Sequence, residues 1–244
     1  MNRTAGIVVI GNEILSGKVV DTNSPFLVRE LRQIGVEVRR VVVIPDELPE
    51  IEESVRTFHQ SFELVFTSGG VGPTHDDVTI DGVARAFRRP VVRDPGLERK
   101  LREFYKDEIN EARLKMSEMP EGAELIFGGA LAFPTLKIEN VYVLPGIPEI
   151  LQSKFLSIRD RFSGDPYHLR IVYTRSGEGT IAEFLNDTLK RYPELLLGSY
   201  PKLGDPDYAV KVTLESKDRS YVERALEHLV SVLPAGCVVR TEEA

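Results

Sequence analysis

The order of apolar and polar positions in the first half of the chain predicts alternating strands and helices. Short runs rich in valine and isoleucine, typical of strands buried on both faces, occupy residues 5–11, 37–44 and 63–69. Apolar residues at helical spacing fill the intervals between them. The first helix is predicted from Ser24, acting as N-cap, to Gly35. Such short connections favour right-handed crossovers and an open, mostly parallel α/β sheet covered on both faces, three layers in all.

The pattern continues to about residue 162. A second helix is predicted after Pro49 and a third just after Asp77. Residues 94–119 form a charged stretch with helical spacing, which predicts one long helix or a helix pair. Three short strands and a helix starting at Pro148 are then predicted, with the strands at residues 123–128, 132–139 and 140–146.

Turn residues cluster at residues 163–166, and the order of elements changes after them. The remaining pattern reads strand, helix, two strands, helix, strand. This βαββαβ order is typical of a small two-layer α+β sandwich of ferredoxin-like type. We therefore predict a larger catalytic domain at residues 1–164 and a small sandwich domain at residues 165–244, the second without a catalytic cluster of its own.

Composition narrows the class of protein. The chain has 244 residues, 42% of them hydrophobic, and no apolar run approaches the roughly 18 residues that a membrane span needs. A formal net charge of -7 argues against nonspecific nucleic-acid binding. The single cysteine, Cys237, excludes an internal disulfide and fits a buried structural position. We expect a cytoplasmic protein that binds neither nucleic acid nor membrane.

A glycine-rich segment, TSGGVGPTHDDVT at residues 67–79, joins the third strand to the third helix. Gly69, Gly70 and Gly72 lack side chains where backbone N–H groups can point at one spot, and the N-terminus of the following helix adds positive potential. This combination is typical of a phosphate-binding loop. A plain strand-to-helix turn explains the glycines alone equally well.

Acidic residues follow each of the first three strands. Asp76 and Asp77 lie beside the glycines, where two carboxylates would repel a phosphate unless a divalent cation sits between them. Asp77 alone also fits a helix N-cap. Glu13 follows the first strand and Asp46 the second, where Asp46 also fits a turn. Because the carboxyl ends of parallel strands share one edge of a sheet, we expect Glu13, Asp46 and Asp77 to face one another.

Other polar and constrained residues lie near the same strand ends. His75 fits a base or a metal ligand but has no second histidine within reach along the chain. Asn23 and Ser24, at the start of the first helix, fit either ligand donors or a cap, and capping by Ser24 is favoured. The loop at residues 145–149 combines prolines and glycine and suits close backbone approach to a ring or phosphate.

Four segments in this order resemble a known family: GNEILSGKVVDTNSPFL, IPDE, TSGGVGPTHDDVT and LPGIPE. They resemble the molybdopterin-binding-like domain shared by molybdenum-cofactor adenylyltransferases and the competence/damage-inducible protein A family. The resemblance extends to the same domain of FAD synthase, whose downstream part is similar to residues 197–216. Nearly the whole chain is covered.

The resemblance implies a fold of that type and a set of site residues. Asp46 and Asp77 match the family's catalytic, metal-binding aspartates, and Glu13 is a further metal ligand. The implied phosphate- and nucleotide-binding residues are Gly11, Asn23, Ser68, Gly69, Gly70, Gly72, Thr74, Pro145, Gly146, Pro148 and Glu149. Asn12 stands where the family usually has aspartate, which replaces a carboxylate by a neutral amide.

The activity implied is hydrolysis of a dinucleotide pyrophosphate such as FAD or ADP-ribose, with Mg²⁺, Mn²⁺ or Co²⁺ as the divalent cation. The alternatives are a molybdopterin adenylyltransferase-like enzyme and a protein that binds a nucleotide or pterin without turnover. Relatives of this fold usually self-associate, so we also expect a homo-oligomer.

Overall fold

The chain divides into two compact units, Met1–Gly164 and Asp165–Ala244. The structure is a computed structural model that describes residues 3–128, 133–204 and 206–243. Each unit has a hydrophobic core of its own. Within the described ranges, every helix is too short or too polar to span a lipid bilayer.

The first unit alternates strands and helices along most of its length. Its strands are β1 (Thr4–Ile10), β2 (Glu37–Ile44), β3 (Leu64–Ser68), β4 (Val91–Arg93), β5 (Glu118–Pro120), β6 (Glu124–Ile126), β7 (Thr135–Ile138) and β8 (Val141–Leu144). Its helices are α1 (Asn12–Leu15), α2 (Asn23–Gln33), α3 (Leu48–Ser61), α4 (Thr79–Ala86), α5 (Pro95–Tyr105), α6 (Glu111–Lys115) and α7 (Pro148–Ile158). Short 3₁₀ turns follow α5 at Lys106–Glu108 and α7 at Arg159–Phe162.

Six of these strands form one sheet in the order β2-β1-β3-β8-β7-β6, and β4 and β5 form a separate pair. The pairs β2–β1, β1–β3 and β3–β8 are parallel, whereas β7 and β6 are added antiparallel at one side. The carboxyl ends of β1, β2, β3 and β8 therefore lie on one edge of the sheet. The predicted fold class, an open and mostly parallel α/β sheet with a second small domain, is confirmed.

Helices cover both faces of this sheet. On one face, α2 and α7 bury residues such as Leu27, Leu31 and Phe155 against the sheet. On the other, α3 and α4 bury residues such as Ile51 and Val83. This three-layer arrangement holds the strand ends in fixed positions relative to one another.

The prediction that all three valine-rich runs are buried on both faces is wrong for β2. Val41 is 41% exposed and Val43 is 36% exposed, because β2 is an edge strand whose sheet neighbour is β1. Residue preference for strands does not distinguish an edge strand from a central one.

The charged stretch at residues 94–119 contains a helix pair, α5 and α6, rather than one long helix. Its last residues belong to β5, which pairs antiparallel with β4. Strand β4 and the one-turn helix α1 are too short to show a periodic pattern and were not predicted. The strand predicted to start at residue 132 appears as β7, and its first predicted residue lies outside the described residues.

The second unit has the predicted βαββαβ order. Its elements are β9 (His168–Thr174), α8 (Glu178–Arg191), β10 (Leu196–Pro201), β11 (Val210–Ser216), α9 (Arg219–Val232) and β12 (Val238–Glu243). The strands pair antiparallel in the order β10-β11-β9-β12, with both helices packed on one face of the sheet. Cys237 is buried in this core.

Candidate active site

Loops at the carboxyl ends of the parallel strands are tied to one another by backbone contacts. The N–H of Gly11, after β1, donates to the carbonyl of Ile44, the last residue of β2, at 3.1 Å. The N–H of Gly69, after β3, donates to the carbonyl of Leu144 at the end of β8, at 3.2 Å. A Cβ on Gly146 would lie 3.3 Å from the Cα of Gly69. The four loops therefore form one contiguous surface at this edge.

The backbone conformation of the glycine-rich loop requires glycine at positions 69 and 70. Gly69 has φ +108° and Gly70 has φ +63°, a region that other residues rarely adopt. A Cβ on Gly69 would lie 2.1 Å from the carbonyl oxygen of Ile10, and one on Gly70 would lie 2.3 Å from the hydroxyl of Thr79. The hydroxyl of Thr79 is itself fixed, because it donates to the carbonyl of Gly69 at 2.9 Å.

The same loop presents unused backbone donors. Within the described part of the chain, the N–H groups of Gly70, Val71 and Gly72 make no hydrogen bond. They lie ahead of α4, whose N-terminus receives no side-chain cap. Consecutive free N–H groups beside a helix N-terminus are the arrangement that binds phosphate oxygens. The loop geometry thus agrees with the phosphate cradle predicted from the glycines.

Asp46 connects the loops after β1 and β2. Its Oδ2 atom accepts a hydrogen bond of 2.7 Å from the backbone N–H of Asn12. Its Oδ1 atom lies 3.6 Å from the position of a Cβ on Gly70, so this oxygen faces the glycine loop. Asp46 is half-buried. One carboxylate oxygen is therefore held by the protein while the other points toward the cradle.

Asp77 is arranged in a similar way on the other side of the loop. Its Oδ2 atom accepts from the backbone N–H of Thr74 at 2.8 Å and also from the Thr74 hydroxyl. A Cβ on Gly72 would lie 2.7 Å from this Oδ2 atom. The Asp77 side chain closes the loop and does not cap α4, so the N-cap interpretation of Asp77 is wrong.

Lys115, on α6, forms hydrogen bonds with the backbone of the same loop. Its ammonium donates to the backbone carbonyls of Asp77 at 2.7 Å and Thr74 at 3.2 Å. Sequence reasoning missed this residue because it lay in a charged stretch, residues 94–119, where no single charge stood out from its neighbours. It is a positioning residue: it fixes the backbone that carries Asp77.

Asp76 and His75 point into solvent. Their side chains are 61% and 97% exposed, and His75 Nδ1 lies 4.0 Å from Asp76 Oδ1. The neighbouring Thr74 hydroxyl and the backbone N–H of Asp76 lower the pKa of the Asp76 carboxyl. Nothing among the described residues orients His75 toward the glycine loop. Of the three consecutive residues 75–77, Asp77 is therefore the one whose carboxylate is held beside the glycine loop.

The side chain of Asn23 connects the end of β3 to the loop after β8 by two hydrogen bonds. Its side-chain N–H₂ donates to the Ser68 hydroxyl at 3.0 Å and to the Gly146 carbonyl at 2.8 Å. The side chain is buried, and its Oδ1 atom accepts no hydrogen bond from a described residue. A buried unpaired acceptor is costly, so this oxygen is a candidate partner for a ligand N–H or O–H.

The predicted capping of α2 by Ser24 is wrong. The Oδ1 atom of Asp21 accepts from the backbone N–H groups of Asn23 and Ser24 at 3.0 Å each, and the Ser24 hydroxyl donates to the other Asp21 oxygen. Asp21 supplies the cap because its carboxylate reaches both orphan donors at once. This leaves the Asn23 amide free to bridge the loops.

The other predicted site residues surround this centre. Glu13 is exposed, and a Cβ on Gly11 would lie 2.6 Å from its Oε1 atom, so its carboxylate folds back over the first loop. Pro148 and Glu149 form the first turn of α7, with Glu149 exposed. Pro145 links the end of β8 to Gly146.

The candidate metal ligands do not form a complete coordination site by themselves. Among the described residues, no group of three histidine, cysteine, aspartate or glutamate side chains comes together closely enough to hold a metal ion. The expected meeting of Glu13, Asp46 and Asp77 is therefore absent from this structure. Mg²⁺ is often held by one or two carboxylates, with substrate phosphates and water completing its shell. The donor set of Asp46 and Asp77 beside a phosphate cradle fits that kind of site.

We predict that Asn23→Leu destabilises the protein and weakens nucleotide binding. The leucine removes both donated hydrogen bonds and leaves the Gly146 carbonyl unpaired, at a cost of about 1–3 kcal/mol in the free energy of unfolding. Urea unfolding and nucleotide titration measure the two effects. The exposed Asn186 of α8 supplies the matched control, Asn186→Leu. An unchanged unfolding free energy for Asn23→Leu contradicts the bridging role.

Comparison with known proteins agrees with the fold. Residues 6–160 match a family described as "Probable molybdopterin binding domain", and residues 166–242 match one described as "FAD synthase, middle domain". A protein of Archaeoglobus fulgidus is 36% identical over 227 residues, covering 93% of this chain and 96% of the relative. A probable FAD synthase of Caenorhabditis briggsae is 33% identical over 249 residues, covering 91% of this chain and 48% of the relative.

A solved structure supports the same relationship. The protein CinA of Thermoplasma acidophilum, described as of unknown function, has a TM-score of 0.61 at 30% identity, covering 66% of this chain and 99% of that one. The fold, the site and these relatives support a nucleotide-related enzyme. The chain belongs to the probable molybdopterin-binding domain family, and its second unit is similar to the middle domain of FAD synthase. The resemblance inferred from the motifs is thereby confirmed. The chain spans about half the length of the FAD synthases it matches.

Proposed function

We propose that this protein hydrolyses a dinucleotide pyrophosphate of the FAD or ADP-ribose type, with a divalent cation, to two mononucleotides. One observation carries the proposal. The carboxylates of Asp46 and Asp77 approach positions 70 and 72 of the loop that presents free N–H groups, and each keeps its Oδ1 atom free of hydrogen bonds to described residues. A diphosphate on this loop would lie between two carboxylates, an arrangement that requires a compensating cation.

Different residues bind the phosphates, bind the cation and position the carboxylates. The N–H groups of residues 70–72 and the N-terminus of α4 bind non-bridging phosphate oxygens. The free oxygens of Asp46 and Asp77 hold the cation, and Asn12 and Thr74 keep these two carboxylates in place. A bound Mg²⁺, Mn²⁺ or Co²⁺ supplies charge stabilisation at the phosphoryl oxygens and favours attack by water.

The reaction balances without a covalent enzyme intermediate. A water oxygen bonds to one phosphorus atom, and the bond from that phosphorus to the bridging oxygen breaks. Each half of the substrate leaves with one phosphate, and the protons of the water pass to the products and solvent. FAD and water give FMN and AMP in this way.

The family relationship favours a second candidate. Because the chain belongs to a probable molybdopterin-binding family, the same loop could bind ATP and transfer its adenylate to a pterin, with release of pyrophosphate. A third candidate, binding without turnover, is favoured by the lack of a three-carboxylate group among the described residues.

One assay separates these candidates. Purified protein is incubated with FAD, ADP-ribose or ATP, each with Mg²⁺, Mn²⁺ or Co²⁺ and with EDTA as control, and the nucleotide products are resolved by chromatography. AMP formed from FAD or ADP-ribose only with metal supports the hydrolase. Pyrophosphate released from ATP only when molybdopterin is added supports the transferase. Tight binding with no product under any condition supports the binding protein.

We predict that residues 1–164 retain the activity when the second unit is removed. Every candidate site residue lies in the first unit, and the N–H of Gly164 donates to the carbonyl of Ile34 within that unit at 2.7 Å. A fragment ending at Gly164 should keep turnover within roughly threefold of the full chain, the level expected when no catalytic contact is lost. A folded fragment that binds no nucleotide refutes this division of roles.

A further inference from the structure

An apolar cavity of about 380 Å³ lies next to the candidate phosphate loop. Its walls come from α5, from the neighbouring strands β7 and β8, and from one side of α7. Val71 of the glycine-rich loop and Pro145 of the loop after β8 also line it, so the cavity adjoins the surface where a diphosphate would lie. Its volume is within the range of roughly 300–1,000 Å³ that is usual for small-molecule sites.

Large apolar side chains around this cavity remain in contact with water. Phe104 is 61% exposed and Ile150 is 41% exposed, and both line the cavity. Phe104 also packs edge-on against Phe133, another lining residue, with ring centroids 5.7 Å apart. An occupant with a flat apolar surface would cover these side chains and gain the free energy of their burial.

Lys154 is the cationic side chain among the described lining residues. Its ammonium donates to the backbone carbonyls of Phe133, at 2.9 Å, and Pro134. An ammonium has three N–H donors, so one remains for an occupant. Lys154 forms no ion pair with a described residue, and the cavity's carboxylate, Glu118, is paired instead with Arg93 at 3.3 Å. Burial lowers the pKa of Lys154 to about 8, which is consistent with an ammonium that lacks a charged partner.

We propose that this cavity holds the flavin ring of FAD while the diphosphate lies on the glycine loop, and that Lys154 donates its third hydrogen bond to a carbonyl oxygen of that ring. The assignment rests on the proposed function and names the substrate class more narrowly. It makes the site selective for flavin dinucleotides over ADP-ribose.

The chemistry of the walls favours a flavin over the other rings of common dinucleotides. The flavin ring is a fused tricycle, so it covers more apolar wall than a purine or a single nicotinamide ring does. Its edge carries two carbonyl oxygens, which match a spare cationic donor. Nicotinamide in its oxidised form is itself a cation and is repelled by Lys154. A ribose offers no flat apolar face to Phe104.

Binding measurements on the full chain test the assignment without depending on turnover. FAD, riboflavin and ADP-ribose are titrated into the protein by calorimetry with Ca²⁺ in place of the catalytic cation, and the ligands are checked afterwards to be intact. Riboflavin has the ring without phosphate, and ADP-ribose has the diphosphate without the flavin. The variants are Lys154→Met, which removes the donor, and Phe104→Ala, which truncates an exposed wall residue. Lys190→Met on the exposed surface of α8 is the matched control.

We expect Lys154→Met to weaken FAD and riboflavin binding by roughly ten- to a hundredfold, the loss typical of a charged hydrogen bond. Phe104→Ala should weaken both by roughly twofold to tenfold. ADP-ribose affinity should stay within about twofold in both variants, and Lys190→Met should change none of the three.

Several outcomes overturn the assignment. If both variants lose affinity equally for FAD and ADP-ribose, the cavity holds the adenine ring and not the flavin. If both variants bind FAD as tightly as the unsubstituted protein, neither ring of FAD occupies the cavity. Riboflavin that binds in a Lys154-dependent way to a protein without pyrophosphatase activity supports the cavity assignment while refuting hydrolysis. FAD turnover that is indifferent to both variants refutes the ring site while leaving hydrolysis standing.

Discussion

Asp46→Asn and Asp77→Asn should each lower turnover of the dinucleotide substrate by roughly a hundredfold or more, and the double variant should be little worse than either. Each carboxylate uses one oxygen inside the protein and leaves the other free beside the glycine loop. Asparagine keeps an oxygen that can accept the same backbone N–H, so the loops remain in place while one negative charge is lost. Turnover with titrated metal, beside thermal melts, measures both effects.

Asp76→Asn is the matched control for this experiment. Its carboxylate is adjacent in sequence to that of Asp77 but is 61% exposed and lies 4.0 Å from the exposed His75 ring. We expect turnover within about threefold of the unsubstituted protein. The metal proposal fails if Asp77→Asn keeps full turnover and only melts earlier, since Asp77 would then serve the loop alone.

Alanine at two glycine positions of the same loop should affect different properties, turnover at residue 72 and stability at residue 69. Gly72→Ala should lower turnover by roughly tenfold to a hundredfold with a smaller loss of stability than Gly69→Ala, because the new Cβ meets the end of the Asp77 side chain and not backbone atoms. Gly69→Ala should lower the melting temperature by roughly 5 °C or more, because φ is +108° there and the Cβ would meet the fixed carbonyl of Ile10. Melts and kinetics on both variants are needed.

Gly179→Ala, near the start of α8, controls for the loss of glycine itself. Nothing lies within 4 Å of a Cβ at that position, and its φ is not in the left-handed region. We expect equal or slightly higher stability and unchanged turnover. If Gly72→Ala has full activity, the position of Asp77 relative to residue 72 is not important for the reaction.

The sequence predicted the fold well because its strands and helices have clear periodic patterns. Strands β1 and β3 are buried on both faces, so a continuous apolar run was a sufficient signal. Strand β2 has the same composition, but its exposure depends on its place at the edge of the sheet. That place follows from the order in which strands pair, which no local pattern contains.

The site was only partly predictable, for a related reason. The glycines and aspartates stood at strand ends, and topology alone brings strand ends together. Lys115 lies in a stretch with many charges and Lys154 on a mostly apolar helix, and each donates to backbone carbonyls at least 20 residues away in sequence. Ser24 was predicted as the cap, whereas Asp21 supplies it, because residue preference cannot tell which nearby oxygen reaches the helix amides.

Asp46 takes its hydrogen bond from the peptide group of Asn12, whose side chain is exposed. A peptide N–H is the same for every amino acid except proline, so this contact places almost no restriction on which residue evolves at position 12. Asparagine in place of the aspartate expected at position 12 therefore leaves the contact that holds Asp46 unchanged. Proline at position 12 is the change that selection should remove.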